Sequence, residues 1–215
     1  MSERLILWGR GTSSNVQRVI WACAEAGLAP ERRIVGGPHG GLDTPAFTAL
    51  SPAGTISVLQ DGAAVVWQAH AILRHLGRRH ALALYPEDPV QRAEVDSWLD
   101  WVATVFWPPV RDVFVRGWLG GEADLAELHA KIADSAQRLD AVLAQQPFLG
   151  GDEFSMADIT AGVAINRHRT MGLTLPGAAL SAWFERLAAR PGFTAFAGEE
   201  QLPPRADSRP RVAAM

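Results

Sequence analysis

The sequence predicts a small mixed α/β domain followed by an all-helical one. Three observations predict it. Strand and helix signals alternate through roughly the first 80 residues, a turn-rich segment Tyr85-Pro86-Glu87-Asp88-Pro89 closes that stretch, and only helical periods follow. The order β-α-β-α-β-β-α implies a small mixed sheet with helices on both faces. The expected division is residues 1–80 for the α/β domain, 81–89 for a linker, 90–200 for the helical domain and 201–215 for a loosely ordered tail. In that tail Pro and Arg dominate from Leu202 on and no apolar period survives.

Each element has its own signal. Leu5-Ile6-Leu7-Trp8, closed by Gly9, reads as a buried strand. From Ser14 to Gly27 the period becomes helical, with Val16, Val19, Ile20, Cys23 and Ala24 on one face and Gly27 as the stop. Arg33-Ile34-Val35 is a second short strand, and Gly36 to Asp43 a glycine-rich loop. Thr44-Pro45 opens a short helix, Thr at the cap and Pro at the first helical position. Ile56 to Gln60 and Ala64 to Trp67, separated by Asp61-Gly62, give a hairpin. A helix from about Gln68 to Arg79 turns Ile72, Leu73 and Leu76 inward. Later helical periods fall at roughly 90–118, 123–145, 156–171 and 179–189. Pro108-Pro109 should kink or break the first of these, because neither residue donates a backbone hydrogen bond.

The totals narrow the function classes. The chain has 215 residues, 48% of them hydrophobic and 20% charged, which is ordinary globular composition. A net charge of -3 gives no electrostatic reason to expect nucleic acid or an anionic membrane as partner. The single cysteine, Cys23, excludes an internal disulfide and suits a reducing compartment. The apolar run at the N-terminus is too short for a signal-peptide core, and no stretch approaches the roughly 18 apolar residues of a membrane span. A cytoplasmic protein is expected. No His/Cys/carboxylate cluster has metal-ligand spacing, and the six histidines are scattered without a nucleophile-elbow motif.

Four segments, in order and spacing, carry a resemblance. They are Gly9-Arg10-Gly11-Thr12-Ser13-Ser14-Asn15-Val16-Gln17-Arg18-Val19, then Gly37 to Phe47, then Asp61-Gly62 to Leu76, and Phe148 to Asp158. Together, over about residues 4 to 197, they resemble the glutathione transferase superfamily, in particular bacterial serine-type members of theta or delta character. The resemblance implies a thioredoxin-like N-terminal domain and an all-α C-terminal bundle. It also implies glutathione as co-substrate, a small apolar electrophile as second substrate, a role in detoxification, and a homodimer.

The chemistry such an architecture performs is activation of a thiol. A free thiol has a pKa near 8.5, so about a few per cent is thiolate at neutral pH. Hydrogen bonds to the charged form, and a helix N-terminus, raise that share. Ser13 matches the family's thiol-contacting serine, and Asn15 could donate a second bond; these are the catalytic candidates. The competing reading is that Ser13 or Ser14 merely caps the helix. The resemblance places Thr12, Ser14, His39, Thr55, Ile56, Ser57, Gln68 and Ala69 along the glutathione-binding groove. It places Trp107, Arg111 and Phe114 in the second-substrate pocket, although such aromatics also serve as plain core. Cys23, between two alanines on the inward face, reads as a core residue.

Two departures from the family's pattern stand out. Where it carries Val and a cis proline, this chain has Ile56-Ser57, and a cis bond before a non-proline residue costs about 2.5–4 kcal/mol. A trans bond is therefore expected, turning the Ile56 backbone away from the peptide. Where the family carries Glu-Ser, this chain has Gln68-Ala69, losing a charge and a hydroxyl that hold the γ-glutamyl end. Gln68 also reads as a simple helix-start residue, and His70 as structural or exposed. Two functions follow as alternatives: a glutathione-conjugating enzyme working through Ser13, or a non-catalytic homologue with weak or no glutathione binding that acts as a scaffold. Finally, Ser155-Met156-Ala157-Asp158 is a capping-box pattern whose role is folding.

Overall fold

A computed structural model of the chain describes residues 4–174 and 176–197. The sheet has four strands: β1 (Leu5–Trp8), β2 (Glu31–Arg33), β3 (Val58–Asp61) and β4 (Ala64–Trp67), in the order β2-β1-β3-β4. β1 runs parallel to β2, with Ile6 opposite Glu31, and antiparallel to β3, with Leu7 opposite Leu59. Side-chain alternation splits the sheet's two faces. Leu7 and Leu59 join the main core under α1 (Ser14–Glu25) and α3 (Ala69–His80). Trp8 instead meets Phe47 of the short α2 (Pro45–Thr48), ring centroids 6.3 Å apart. Thr44 caps α2 as the sequence indicates, its hydroxyl accepting from the Phe47 N–H. β2 begins two residues earlier than expected. Glu31–Arg33 pair along β1, whereas Ile34 is 48% exposed and Val35 only accepts a bond from the Arg10 N–H.

Beyond His80 the described structure is helical: α4 (Pro89–Trp101), α5 (Trp107–Asp112), α6 (Ala126–Leu143), α7 (Met156–Thr170), α8 (Ala178–Ala188) and α9 (Pro191–Ala197). Asp88 caps α4, its carboxylate accepting from the N–H groups of Val90 and Gln91 at 3.0 and 2.9 Å. The proline pair does interrupt the first long period. Pro108 and Pro109 occupy the first turn of α5, and the chain reaches them through a π-helical stretch, Val102–Phe106, whose wider turn loosens the ladder ahead of two residues without N–H groups. Helix α9 has no counterpart in the sequence reading, because Pro191 and Gly192 depress local propensity. Tertiary contacts form it: Phe196 stacks on Trp21 of α1 at 4.9 Å, and Arg190 grips Glu25 with two nitrogens at 3.1 and 2.7 Å. The tail expected over 201–215 lies outside the described residues.

Helix α7 runs through the centre of the helical half and is buried from Met156 to His168. Its capping box is present. The Ser155 hydroxyl accepts from the Ala157 N–H, and the Asp158 carboxylate accepts from the Ser155 N–H. Cys23 is buried as expected, and burial pushes its thiol up to about 12, which makes it inert. No helix among the described residues is long and apolar enough to cross a membrane, and none of their His, Cys, Asp and Glu side chains form a group of three suited to a metal ion.

Candidate functional site

The predicted chemistry collects at the first turn of α1. β1 delivers the chain there through Gly9, which has φ +136; a Cβ would come within 2.4 Å of Val16 and 3.2 Å of Ile56. Strand, helix and the Ile56 loop therefore converge only on a glycine. Ser13 takes the N-cap position with extended backbone, its carbonyl accepting from the Gln17 N–H at 2.9 Å. Its hydroxyl accepts no cap bond from the helix. The capping reading of Ser13 thus lacks the bond that defines a cap, and the hydroxyl sits half-buried at the positive end of a 12-residue helix. Ser14 is buried in the first turn, and the exposed Thr12 offers its carbonyl to Arg167 Nη2 of α7 at 2.9 Å.

Next to this turn a cavity of about 200 Å³ opens between the two halves of the molecule. Asn15 and Arg18 line it from α1, Gln68, Ala69 and His70 from the start of α3, and Ala103 and Trp107 from the helical half. A larger hollow of about 610 Å³ near Pro86, Gln91 and Asp152 carries none of the candidate catalytic or glutathione-binding residues. The strongest charge in the cleft is Arg18, only 1% exposed. Its Nη1 donates to Asn15 Oδ1 at 2.8 Å, and its guanidinium lies 4.9 Å from the Trp107 ring centre. Its Nε and Nη2 have no hydrogen-bond partner. Burial, aided by the Arg167 charge, pulls Arg18 down to about 9, so it stays charged at neutral pH. Because Arg18 holds the Asn15 oxygen, the Asn15 amide nitrogen is left as the donor toward the cleft.

Gln68 has φ +72, the left-handed region, and is the one non-glycine residue with positive φ among the described residues. Its N–H donates to the Ser57 carbonyl at 3.2 Å while its side chain makes no cap bond. A helix-start role by side-chain capping is therefore not what holds it there. The Ile56–Ser57 bond is cis, where the sequence implied trans. Ser57 is fully buried, its carbonyl accepts from the Gln68 N–H, and the next residue, Val58, pairs with Trp67 in the sheet. The expectation that the Ile56 backbone is turned away falls with the trans bond. The Ser57 hydroxyl is buried without a partner.

The remaining candidates scatter. Thr55 is exposed and exchanges hydrogen bonds with the Ser51 hydroxyl, and His39 is exposed at the end of a single 3-10 turn. Ala69 is buried in the cavity wall. Of the second-substrate residues, Trp107 reaches the cavity and Phe114 lies 4.9 Å under the Arg167 guanidinium. Arg111 stays outside, exposed and paired with Asp112 at 3.0 Å. The positive charge lining the cavity comes instead from Arg18, which the sequence reading missed. No sequence signal singled it out, because one arginine in an amphipathic helix reads as a solvated charge.

His70 joins the two halves, its Nε2 lying 2.6 Å from Thr160 Oγ1 of α7. Burial, then the charges of Arg18 and Arg74, depress it to about 3. The folded protein therefore refuses a proton that the unfolded chain accepts below its usual value near 6.5. Stability from His70 is full above that value and is lost progressively as pH falls toward 3. His168, lowered to about 4 by burial and the His129 charge, acts with the same sign. Asp61 adds to it at lower pH: burial would raise its carboxyl, but bonds from His80 and His75 and the Arg79 charge outweigh this and hold it below the usual range. Urea unfolding from pH 8 to 4 is expected to show falling stability below about pH 6.5, with a shallower slope in His70→Gln. An unchanged slope in that variant would remove His70 from the account.

With this geometry in place, the comparisons with known proteins are decisive about kinship. Residues 12–79 match the family model described as glutathione S-transferase, N-terminal domain, and residues 99–191 match glutathione S-transferase, C-terminal domain. Glutathione S-transferase GstB of Escherichia coli (strain K12) is 30% identical over 201 residues, covering 87% of this chain and 94% of that protein. Glutathione S-transferase 3 of Zea mays is 33% identical over 214 residues, covering 93% and 96%. Among solved structures, the theta-class glutathione S-transferase of Xanthomonas axonopodis pv. citri with glutathione bound is 42% identical, with a TM-score of 0.81 over 90% of this chain and 96% of that one. A four-stranded mixed sheet flanked by α1 and α3, an all-helical second half, and matches across both halves lead to one conclusion: the chain belongs to the glutathione S-transferase family.

Proposed function

We propose that the chain conjugates glutathione to a small apolar electrophile, with the thiolate stabilised by Ser13. One observation carries the reading: Ser13 stands at the N-terminus of α1 and its hydroxyl is not engaged by the helix's first turn. A thiolate placed there would accept from Ser13 and from the Asn15 amide, and the dipole of α1 would add to both. The sulfur forms the new carbon–sulfur bond as the electrophile's leaving group departs with its bonding pair (halide, for an aryl halide), and the thiol proton goes to solvent. The glutathione bound to the 42% identical relative supports the choice of thiol. Trp107 offers a flat apolar wall to the electrophile. By family likeness the working unit is a homodimer in the cytoplasm.

The second reading is a binding or scaffold homologue, favoured by a neutral Gln68 and an Ala69 without a hydroxyl where a charged and a hydroxyl group would hold the γ-glutamyl end. Calorimetry with glutathione, followed by a conjugation assay with an activated aryl halide, separates the two. Binding tighter than about millimolar with measurable turnover is expected. Millimolar or weaker binding, or none, without turnover selects the scaffold reading, and tighter binding without turnover rejects the conjugation chemistry.

A further inference from the structure

We infer that Arg167 is a positioning residue for the thiol chemistry: from the helical half it holds the Thr12 carbonyl, which sets the direction of the Ser13 side chain and keeps a buried positive charge behind the turn. The turn that activates the thiol is thus completed by the second domain. This rests on the conjugation reading above.

Three observations carry it. First, the peptide unit joining Thr12 to Ser13 is held at both ends. Its carbonyl accepts from Arg167 Nη2 at 2.9 Å, and its N–H donates to the Arg10 carbonyl at 3.2 Å. A planar unit gripped on both sides resists rotation, so the Ser13 side chain leaves it in a fixed direction. Arg10 belongs to the same turn, and its grip moves with the turn. Arg167 stands 155 residues further along the chain, in α7, and ties the turn to the frame of the other half.

Second, Arg167 is itself built in. It is 3% exposed, its guanidinium lies 4.9 Å from the Phe114 ring centre, and α7 packs on α1. The capping box at Ser155 and Asp158 anchors the far end of the same helix, so the donor is fixed in space. With so little surface, Arg167 acts through the turn and does not touch the ligand.

Third, its charge reaches the cleft. Burial first, and then the Arg167 charge, lower Arg18 to about 9, which puts two cations of like sign within reach of one another near the first turn of α1. Arg10 is the turn's own cation. His70, from α3, is held neutral at pH 7, and none of the described side chains that line the adjoining cavity is acidic. A thiolate at the N-terminus of α1 relieves the repulsion between these cations, whereas a neutral thiol does not. The Arg167 charge therefore favours the ionised sulfur as well as the geometry that receives it.

The test compares the pH–rate profile for conjugation, and the ultraviolet titration of the thiolate of bound glutathione, in the unaltered protein, Arg167→Met, Arg167→Lys and Ser155→Ala. Ser155→Ala is the control for lost stability, because it weakens α7 at the end away from the turn. In Arg167→Met the midpoint of both curves is expected to rise by about one pH unit, and kcat/KM at neutral pH to fall about tenfold. Arg167→Lys, which keeps the charge and a donor, is expected to recover part of both. Ser155→Ala is expected to keep the midpoint of the unaltered protein. A midpoint that stays put in Arg167→Met, or moves equally in Ser155→Ala, overturns the inference and leaves the conjugation reading standing. An unaltered protein without turnover overturns both. If the Arg167 variants fail to fold, the unaltered protein still decides the question. With nitrogen-labelled arginine, its Arg167 guanidinium signals are expected to shift as the bound thiol ionises, with the same midpoint, and signals that do not move overturn the inference.

Discussion

Asp158→Ala is expected to lose about 3–5 kcal/mol of folding stability, near the upper limit for a single substitution. The carboxylate is completely buried and serves four donors: the Leu149 N–H at 2.9 Å, the Ser155 N–H at 2.9 Å, the Ser155 hydroxyl at 3.1 Å and Trp183 Nε1 at 2.8 Å. One side chain therefore fixes the loop before α7, caps α7 itself and anchors α8 through a fully buried tryptophan. Removing it strands three buried N–H groups at about 1–3 kcal/mol each, less whatever local relaxation or entering water recovers. Ser155→Ala removes the cap and the hydroxyl donor but leaves the three N–H donors on Asp158 in place, so about 0.5–2 kcal/mol is expected. Urea unfolding of both variants should place Asp158→Ala well below Ser155→Ala. Equal losses would mean that Asp158 acts only as part of the cap.

The capping box was legible because its bonds are local: Ser155 and Asp158 are three residues apart, and any chain with that spacing can form them. The further reach to Trp183, 25 residues on, leaves no local trace. The same distinction runs through the fold. The hairpin around Asp61-Gly62 and the helices with a clean apolar period stand within a few residues of their sequence-derived places. β2 and α9 do not, because each is defined by what it lies against: the β1 edge in one case, Trp21 and Glu25 in the other.

At the site, the turn bearing Ser13 and Asn15 was readable as a motif, and so was the loss of charge and hydroxyl at Gln68-Ala69. Arg18 was not, since a single arginine in an amphipathic helix looks like an ordinary solvated charge until α3, α7 and Trp107 close over it. Nor was the isomer at Ile56–Ser57, which local cost argues against. Arg111 illustrates the reverse error: the right charge for an anionic group, on the helix expected to carry it, but turned out to Asp112.

Ser13→Ala is expected to lower kcat/KM for conjugation by about tenfold to a hundredfold at neutral pH, while leaving stability within about 0.5 kcal/mol. The two halves of this statement test different things. A hydroxyl donating to a thiolate contributes about 1.5–3 kcal/mol to the charged form, which corresponds to a pKa rise of roughly one to two units when it is removed. At a pH below both values the thiolate fraction, and with it the rate, falls by the same factor. As pH climbs past the raised value the thiol ionises unaided, so the deficit should shrink toward alkaline pH, and the midpoint of the pH–rate profile should move upward by one to two units. A serine that served only the helix would behave in the opposite way: its loss would lower the melting temperature and leave the profile's midpoint in place. Since the Ser13 hydroxyl makes no bond to the first turn of α1, that structural penalty has no source here. A variant that melts earlier, yet keeps both its neutral-pH rate and its midpoint, would take Ser13 out of the chemistry and leave Asn15 as the remaining donor beside the sulfur.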